Sequence, residues 1–348
     1  MSAGRPQGLT WAQPSTRYEV VKLRVGVSAC LLGAEVRFDG QHKRDAFLKD
    51  QLAAFVDWVS VCPEVEVGMG VPREPVRLVR GPRDRTAMLG VGSGRDWTER
   101  MEAAAARRAE ELARFDIRGF VFKAKSPSCG MERVKVYDPG PERRAPRADG
   151  VGLFARAVMR RLPNLPVEEE GRLNDLALRE NFLERLFAYD RVRELWAARW
   201  RLRDLVAFHT AHKMQLLAHS TSGYTALGRL VGGAKRLPRT ALRDQYEAAF
   251  MATLARPATP GRHANVLTHM LGHLRRAIDD ADKRELMAAI EDHRAGVLPL
   301  IVPLTLLAHH ARRLGTTYLL GQTYLDLRAR LERYLVPGLH GRGGRRRP

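Results

Sequence analysis

Residues 22–29 read KLRVGVSA, and Cys30 follows at once. A short Val-rich run that meets a turn at Leu31-Leu32-Gly33 predicts a buried strand. The arrangement recurs twice. WVSVC at 58–62 predicts a second strand that stops before Pro63, because the residue preceding a proline is held extended. GFVFK at 119–123 predicts a third, leading into Ser126-Pro127-Ser128-Cys129-Gly130. Between them the pattern predicts helices over 41–57 and over 96–114, the latter Ala-rich with Asp96 or Thr98 as N-cap. Strands alternating with helices predict βαβ units and a mainly parallel sheet with flanking helices. In such a sheet, sites form beyond the carboxyl ends of the strands. Cys30, Cys62 and Cys129 each follow a predicted strand, so three thiols distant in sequence are expected to converge.

The second half reads differently. Pro163, Pro166 and the run Glu168-Glu169-Glu170 look like a linker. Beyond Gly171, Leu176, Leu183, Leu186 and Phe187 fit one helical stripe. Leu202, Leu205, Val206, His209, Lys213 and Leu216 fit another, and 264–277, 282–295 and 300–314 predict further helices. No strand pattern is evident there. The expected organisation is a disordered leader (1–21), an α/β domain (22–171), an all-α domain (172–338) and a basic tail (339–348).

The chain has 348 residues, which at about 150 per domain fits two domains. Hydrophobic residues make up 45% and charged residues 28%, which excludes a wholly disordered chain. No apolar run approaches the roughly 18 residues of a membrane span, and the first twenty residues lack an apolar signal core. The expectation is a cytoplasmic protein without a membrane partner. Three cysteines, an odd count, argue against a disulfide framework.

The formal charge of +20 implies a polyanionic partner, of which nucleic acid is the commonest. The excess is uneven, at +6 through Gly171 and +14 after it. Lys213, Tyr224, Arg229, Lys235, Arg236 and Arg239 mix cations with an aromatic ring, a combination suited to RNA phosphates and unpaired bases. A plain solvated face is the alternative. His209 with His212, and His269 with His273, each share a helix face. Packing, metal binding and contact with RNA all remain open for them.

Three converging thiols admit several chemistries. Structural zinc takes four ligands, and only His42 is at hand as the fourth in this domain. Iron–sulfur clusters normally take four cysteines. With three, one iron of a cubane is left open and can act as a Lewis acid toward substrate. Buried structural thiols are the third reading. Gly and Pro beside each cysteine make turns, where a ligand is expected more than a packed thiol. No P-loop and no HExxH motif is present, and GVGSG at 90–94 reads as a surface turn.

Ser28-Ala29-Cys30-Leu31-Leu32-Gly33, Arg37-Phe38-Asp39-Gly40, Cys62-Pro63-Glu64, Pro72-Arg73, Lys123 and Ser126-Pro127-Ser128-Cys129-Gly130, in that order, resemble the DUF523 family of thiouracil desulfurase domains over about residues 22–160. Residues 205–231, 265–272 and 299–310 resemble the DUF1722 family. The combination is similar to two-domain desulfidases that act on 4-thiouridine in tRNA. The resemblance implies a [4Fe-4S] cluster on Cys30, Cys62 and Cys129 with one open iron, Glu64 and Ser126 as catalytic side chains, and tRNA as partner. Two departures stand out: Phe38 where the family usually has Tyr, and Val67-Gly68-Met69-Gly70 where Gly-Gly is common.

The implied reaction is hydrolytic, with no net redox change. Water adds to an electrophilic thiocarbonyl carbon, Glu64 takes the proton, and Ser126 positions the water or relays the proton. Asp39 either binds substrate or braces the Cys30 loop, while Ser28 and Lys123 stand behind the substrate site. Two other functions fit the residues. One is the same chemistry on free thiouracil or thionucleosides. The other is a nucleic-acid-binding protein with a structural metal site. The oligomeric state is left open.

Overall fold

The computed structural model describes residues 22–81, 85–139 and 145–325. The expected leader, the basic tail and the end of the helical domain lie outside the described residues. Among the described residues eight strands occur in chain order: β1 (Leu23–Ser28), β2 (Val56–Val61), β3 (Val76–Arg80), β4 (Thr86–Gly90), β5 (Gly119–Phe122), β6 (Val134–Tyr137), β7 (Arg147–Gly150) and β8 (Val167–Glu169). The helices are α1 (Pro63–Glu66), α2 (Thr98–Arg114), α3 (Leu153–Arg161), α4 (Leu176–Ala197), α5 (Leu202–Ala211), α6 (Lys213–His219), α7 (Thr221–Gly232), α8 (Arg239–Leu254), α9 (Pro260–Leu274), α10 (Asp280–Arg294), α11 (Ile301–Arg313) and α12 (Thr317–Leu320). The N-terminal half is therefore α/β, and the described part of the C-terminal half is helical, as the sequence patterns predict.

The parallel sheet has the order β2-β1-β5-β8. Its register aligns the carboxyl ends. Ser28 pairs with Val61, Val27 with Val121, and Phe122 with Glu169. All four strands thus deliver their following residues to one edge. Side chains alternate across the sheet, as a strand's period of two requires. Val25, Val27 and Val121 face one core, while Phe120 and Phe122 face the other. Gly26 makes room for the Phe120 ring, since a Cβ there would come within 2.1 Å of Phe120 Cδ2.

Four expectations need correction. Residues 41–57 do not form one helix. A π-helical turn (Phe47–Gln51) and a 3-10 turn (Leu52–Ala54) precede β2, which already begins at Val56. Upstream of these turns the chain is tied to the cysteine loop instead, with Lys43 N donating to Cys30 O (2.9 Å) and Asp45 N to Leu31 O (2.8 Å). At the start of α2 the N-cap is Trp97; Asp96 Oδ1 accepts from Thr98 N (2.8 Å), while Thr98 Oγ1 accepts from Met88 N (2.8 Å). The stripe from Leu202 to Leu216 is broken at His212, which ends α5 and precedes α6.

The fourth correction concerns the supposed linker. Residues 167–169 are β8, the edge strand of the parallel sheet, and Glu168 and Glu169 are buried. Their charges are compensated: Arg172 donates to Glu168 (2.6 Å), and Glu169 Oε1 accepts from Met131 N (2.8 Å). A buried carboxylate with such partners is tolerable, and the acidic run therefore works as a clamp on neighbouring loops.

A second, mixed sheet has the order β4-β3-β6-β7 and arises from the Arg-rich segment and the chain after Cys129. Helix α2 lies between the two sheets, giving Met101 and Ala104 to one core and Ala105, Ala109 and Leu112 to the other. The two halves also share core. Phe182, Leu183 and Leu186 of α4 pack with Val25, Val27 and Val121 of the parallel sheet. A Cβ on Gly119 would come within 2.7 Å of Leu186 Cδ1.

Candidate active site

The three cysteines line one cavity of ≈ 320 Å³ at the carboxyl edge of the parallel sheet. Cys30 lies in the 3-10 turn after β1, which Gly33 closes in the left-handed conformation (φ 95°). Cys62 directly follows β2 and is the N-cap residue of α1. Cys129 ends the loop after β5 and is buried. Convergence of the three thiols is what their positions after strands predict.

The Cys129 loop is held from several sides. Ser126 Oγ accepts from Ser128 N (3.3 Å) and Cys129 N (3.1 Å), closing the turn. Gly152 at the start of α3 lies against the same backbone: a Cβ there would stand 2.4 Å from Ser128 O and 2.9 Å from Cys129 N. Glu169 clamps the residues that follow Cys129-Gly130. Glu170 pairs with Lys123 Nζ and accepts from Ala124 N (2.7 Å). Ser28 Oγ accepts from Lys123 N (2.9 Å), tying β1 to β5.

Glu64 sits on α1, two residues past Cys62, with its side chain 14% exposed. One oxygen is held by the Arg73 guanidinium, and Oε1 accepts from Ser128 Oγ at 2.6 Å. Arg73 also donates to Val36 O (2.9 Å) and Gly70 O (2.9 Å), so it braces the loops around the cavity as well as the carboxylate. Ser126 Oγ and Ser128 Oγ are 3.0 Å apart. A hydroxyl has one hydrogen to give. Ser128 gives it to Glu64, so Ser126 must donate to Ser128. The result is a directed chain from Ser126 through Ser128 to Glu64.

Burial pushes the Cys30 thiol up to about 11, opposed chiefly by Lys123, with Arg37 acting in the same direction. Burial likewise raises Cys62, and it raises Cys129 most strongly against a hydrogen bond from Ser28. Such thiols keep their protons until a metal centre displaces them, because the thiolate is the ligand form. The donor chemistry, three thiols and no histidine among the lining residues of the cavity, suits the soft iron of an iron–sulfur cluster. A tetrahedral zinc site gathers its sulfurs roughly 3.8 Å apart, as ~2.3 Å Zn–S bonds require. Among the described residues no group of three or more His, Cys, Asp or Glu is gathered closely enough to hold one metal ion.

Other expected residues fall elsewhere. Asp39 does not line the cavity; it is exposed, pairs with Arg37 (3.0 Å) and accepts from Gln41 N (3.1 Å). Arg37 and Phe38 line the cavity in its place. The arrangement favours bracing over substrate contact for Asp39. The Arg37 hydrogen bond holds the Asp39 carboxyl below the usual range. His42 does not line the cavity either, and its Nδ1 accepts from Arg44 N (3.2 Å). Ser128, Arg73, Gly152 and Glu169 join the site without having been assigned roles from the sequence. The signal for Ser128 was its place within the Ser-Pro-Ser-Cys-Gly turn.

In the helical half Lys213 opens α6, Arg229 lies on α7, and Lys235 and Arg236 are exposed on the turn Ala234–Arg236. Arg239 stacks over the Trp200 ring (4.3 Å) and donates to Trp200 O, which gives it a structural task. His209 and His212 are buried and pack, whereas His269 and His273 are exposed. His209 meets Tyr246 OH (3.2 Å), and His212 lies between Phe208 O (2.7 Å) and Arg191 Nε (3.0 Å). His269 and His273 meet edge to face. No described helix is long and apolar enough to cross a membrane.

Comparison with known proteins finds matches to both halves of the chain. The family profile described as 2-thiouracil desulfurase matches residues 25–170, and the profile described as protein of unknown function DUF1722 matches residues 213–327. The uncharacterized protein YbgA of Escherichia coli is 31% identical over 149 residues, covering 42% of this chain and 88% of that protein. The uncharacterized protein YbbK of Bacillus subtilis is 32% identical over 108 residues, covering 30% and 71%. Among solved structures, the [4Fe-4S]-dependent thiouracil desulfidase TudS is 32% identical, covering 45% of this chain and 97% of that one, with a TM-score of 0.37. The chain belongs to the 2-thiouracil desulfurase family through its α/β half, to which a DUF1722 domain is joined.

Proposed function

We propose that the protein removes sulfur from 4-thiouridine in tRNA by hydrolysis, with a [4Fe-4S] cluster held by Cys30, Cys62 and Cys129. The carrying observation is the convergence of three thiols and the Ser126–Ser128–Glu64 chain on one cavity. Family membership supports the desulfuration, and the [4Fe-4S] dependence of the similar protein TudS supports the cluster. The cluster, when bound, supplies a soft Lewis-acidic iron suited to a thiocarbonyl sulfur.

The protein's own residues do the rest. Water adds to C4 of the base as the C=S bond opens, and the products are uridine and hydrogen sulfide. No electron is gained or lost. Glu64, oriented by Arg73, receives the water proton directly or through Ser126 and Ser128. Hydroxyls placed 3.0 and 2.6 Å along that chain are within proton-transfer reach. Lys123, paired with Glu170, opposes the upward shift that burial gives the Cys30 thiol. The nucleotide must leave its stack to reach the cavity.

For tRNA the support is charge. The chain after Gly171 carries +14, more than a free base would need. Free thiouracil is the second reading, favoured by the substrate named for TudS and by a cavity of nucleobase scale. Anaerobic reconstitution with iron and sulfide, then nucleoside analysis of thiolated tRNA beside assays on free 4-thiouridine and 2-thiouracil, separates the two. Loss of 4-thiouridine from tRNA, abolished by Cys30→Ala, Cys62→Ala or Cys129→Ala, is the expected result. Turnover of the free base alone would move the function to the second reading, and no sulfide from any substrate would refute both.

A further inference from the structure

Among the described residues that line the cysteine cavity, Phe38 is the one aromatic side chain. It is 40% exposed and belongs to none of the hydrophobic cores. The one charged or aromatic group set against its ring is Arg37, whose guanidinium carbon stands 5.3 Å from the ring centre. A phenyl group so placed does little for folding. It leaves apolar ring surface uncovered, in a residue of the cavity wall.

The turn that carries the ring is tightly held. Gly40 N donates to Arg37 O (3.0 Å) and closes residues 37–40, with Gly40 in the left-handed region (φ 71°). Phe38 O accepts from Arg73 N (2.9 Å), so the turn is tied to the residue that orients Glu64. Nε and Nη2 of Arg37 donate to Asp39 Oδ1 (3.2 Å) and Oδ2 (3.0 Å). This fork fixes the guanidinium, and the cation in turn holds the ring by its π face. Asp39 thereby acts on the cavity without lining it.

The polar side chains of the wall, such as Glu64, Ser126 and Ser128, suit the edge of a planar substrate, because a base is hydrogen-bonded along its edges. A pyrimidine also has two faces. Stacking on an aromatic ring satisfies a face and tolerates changes at the edge, so a thiocarbonyl and a carbonyl are accepted alike. Phe38 is the ring that this wall supplies.

We propose that Phe38 stacks on the base that loses its sulfur, and that Asp39, acting through Arg37, positions the ring for it. The proposal rests on the desulfuration reading and applies equally to a base in RNA and to a free base.

The test uses the full chain reconstituted with iron and sulfide. Two quantities are measured: KM and kcat with 2-thiouracil and 4-thiouridine, and calorimetric binding of uracil, which has the ring and no sulfur to lose. Phe38→Ala should weaken uracil binding and raise KM by about 5- to 150-fold, the range that loss of base–aromatic stacking gives. Iron content should match the parent, and the loss should fall on KM rather than kcat. Phe38→Tyr and Phe38→Trp should stay within threefold of the parent, while Phe38→Leu, apolar but not planar, should fall with Phe38→Ala. Asp39→Ala should weaken uracil binding in the parent and add nothing in the Phe38→Ala chain. If Phe38→Ala loses iron, the comparison of Phe38→Leu with Phe38→Tyr decides. Uracil bound as tightly by Phe38→Ala or Phe38→Leu as by a parent that releases sulfide overturns the proposal alone. So does an effect confined to RNA, which would make Phe38 a surface for a neighbouring base. A parent that releases no sulfide from any substrate fails the desulfuration reading and the proposal with it.

Discussion

Replacing Ser128 by alanine removes one oxygen from the best-defined chain in the site. The hydroxyl is 1% exposed at residue level, donates to Glu64 Oε1 at 2.6 Å and accepts from Ser126 at 3.0 Å. A hydrogen bond to a charged group is worth about 1.5–3 kcal/mol. The lower end applies here, because Arg73 still neutralises Glu64 and the cavity admits water to the freed oxygen. Folding should thus survive. Turnover should not, since interrupting a proton relay typically costs on the order of 10²–10⁴-fold. At about 1.36 kcal/mol per tenfold, that is roughly 3–5 kcal/mol of barrier. The assay is single-turnover desulfuration under anaerobic conditions, with iron content measured on the same samples. Ser126→Ala should lose a similar factor, and the double variant should lose little more than either single one, because groups acting as a unit are not additive. An iron-replete Ser128→Ala enzyme within threefold of the parent rate refutes the relay, as does a double variant whose losses multiply.

Gly152→Ala should lower iron content and activity together while the helical half keeps its structure, because its methyl group would press on the backbone of Ser128 and Cys129; iron analysis with circular dichroism reads both. Lys235→Ala with Arg236→Ala should flatten the salt dependence of tRNA binding by about 1.8 in log–log slope on the B-DNA coefficient, or about 1.4 on the single-strand one; an unchanged slope in filter binding removes both from the interface. His212 concerns pH. Burial, then Arg191, holds it well below the ordinary histidine value. A depressed folded value makes the stability contribution full above about pH 6.5, and acidification toward the folded value removes it, by up to about 1.4 kcal/mol per pH unit. Urea midpoints of the cluster-free chain at pH 7 and pH 5 should fall more steeply for the parent than for His212→Gln.

The strands ahead of the three cysteines were legible because buried parallel strands write themselves as short Val-rich runs, and the register then brought the thiols together. The mixed sheet was not legible. Its strands carry Arg77, Arg80, Lys135 and Arg147, and their apolar positions are met by α2 and α3 from distant parts of the chain. The same is true of β8, whose Glu168-Glu169 run looks solvated until Arg172 and the backbone of Met131 are placed against it. Glu64 was legible from its spacing to Cys62. Its partners were not: Arg73 and Ser128 lie nine and sixty-four residues away, and only the fold makes them neighbours.

Helix α4 has a consequence for which nucleotide can react. Its buried side chains belong to the core beneath the cysteine-bearing strands, so the helical half is no pendant on a flexible tether. Interdigitated cores resist sliding. Under the RNA reading, a polymer gripped by the helices is presented to the cavity at a set offset, as by a caliper. The base that is read is then chosen by its distance along the strand from the grip, and its neighbours in sequence matter little. Separating the halves by inserting residues in α4 would not lengthen the reach; it would open the core that sets the gauge.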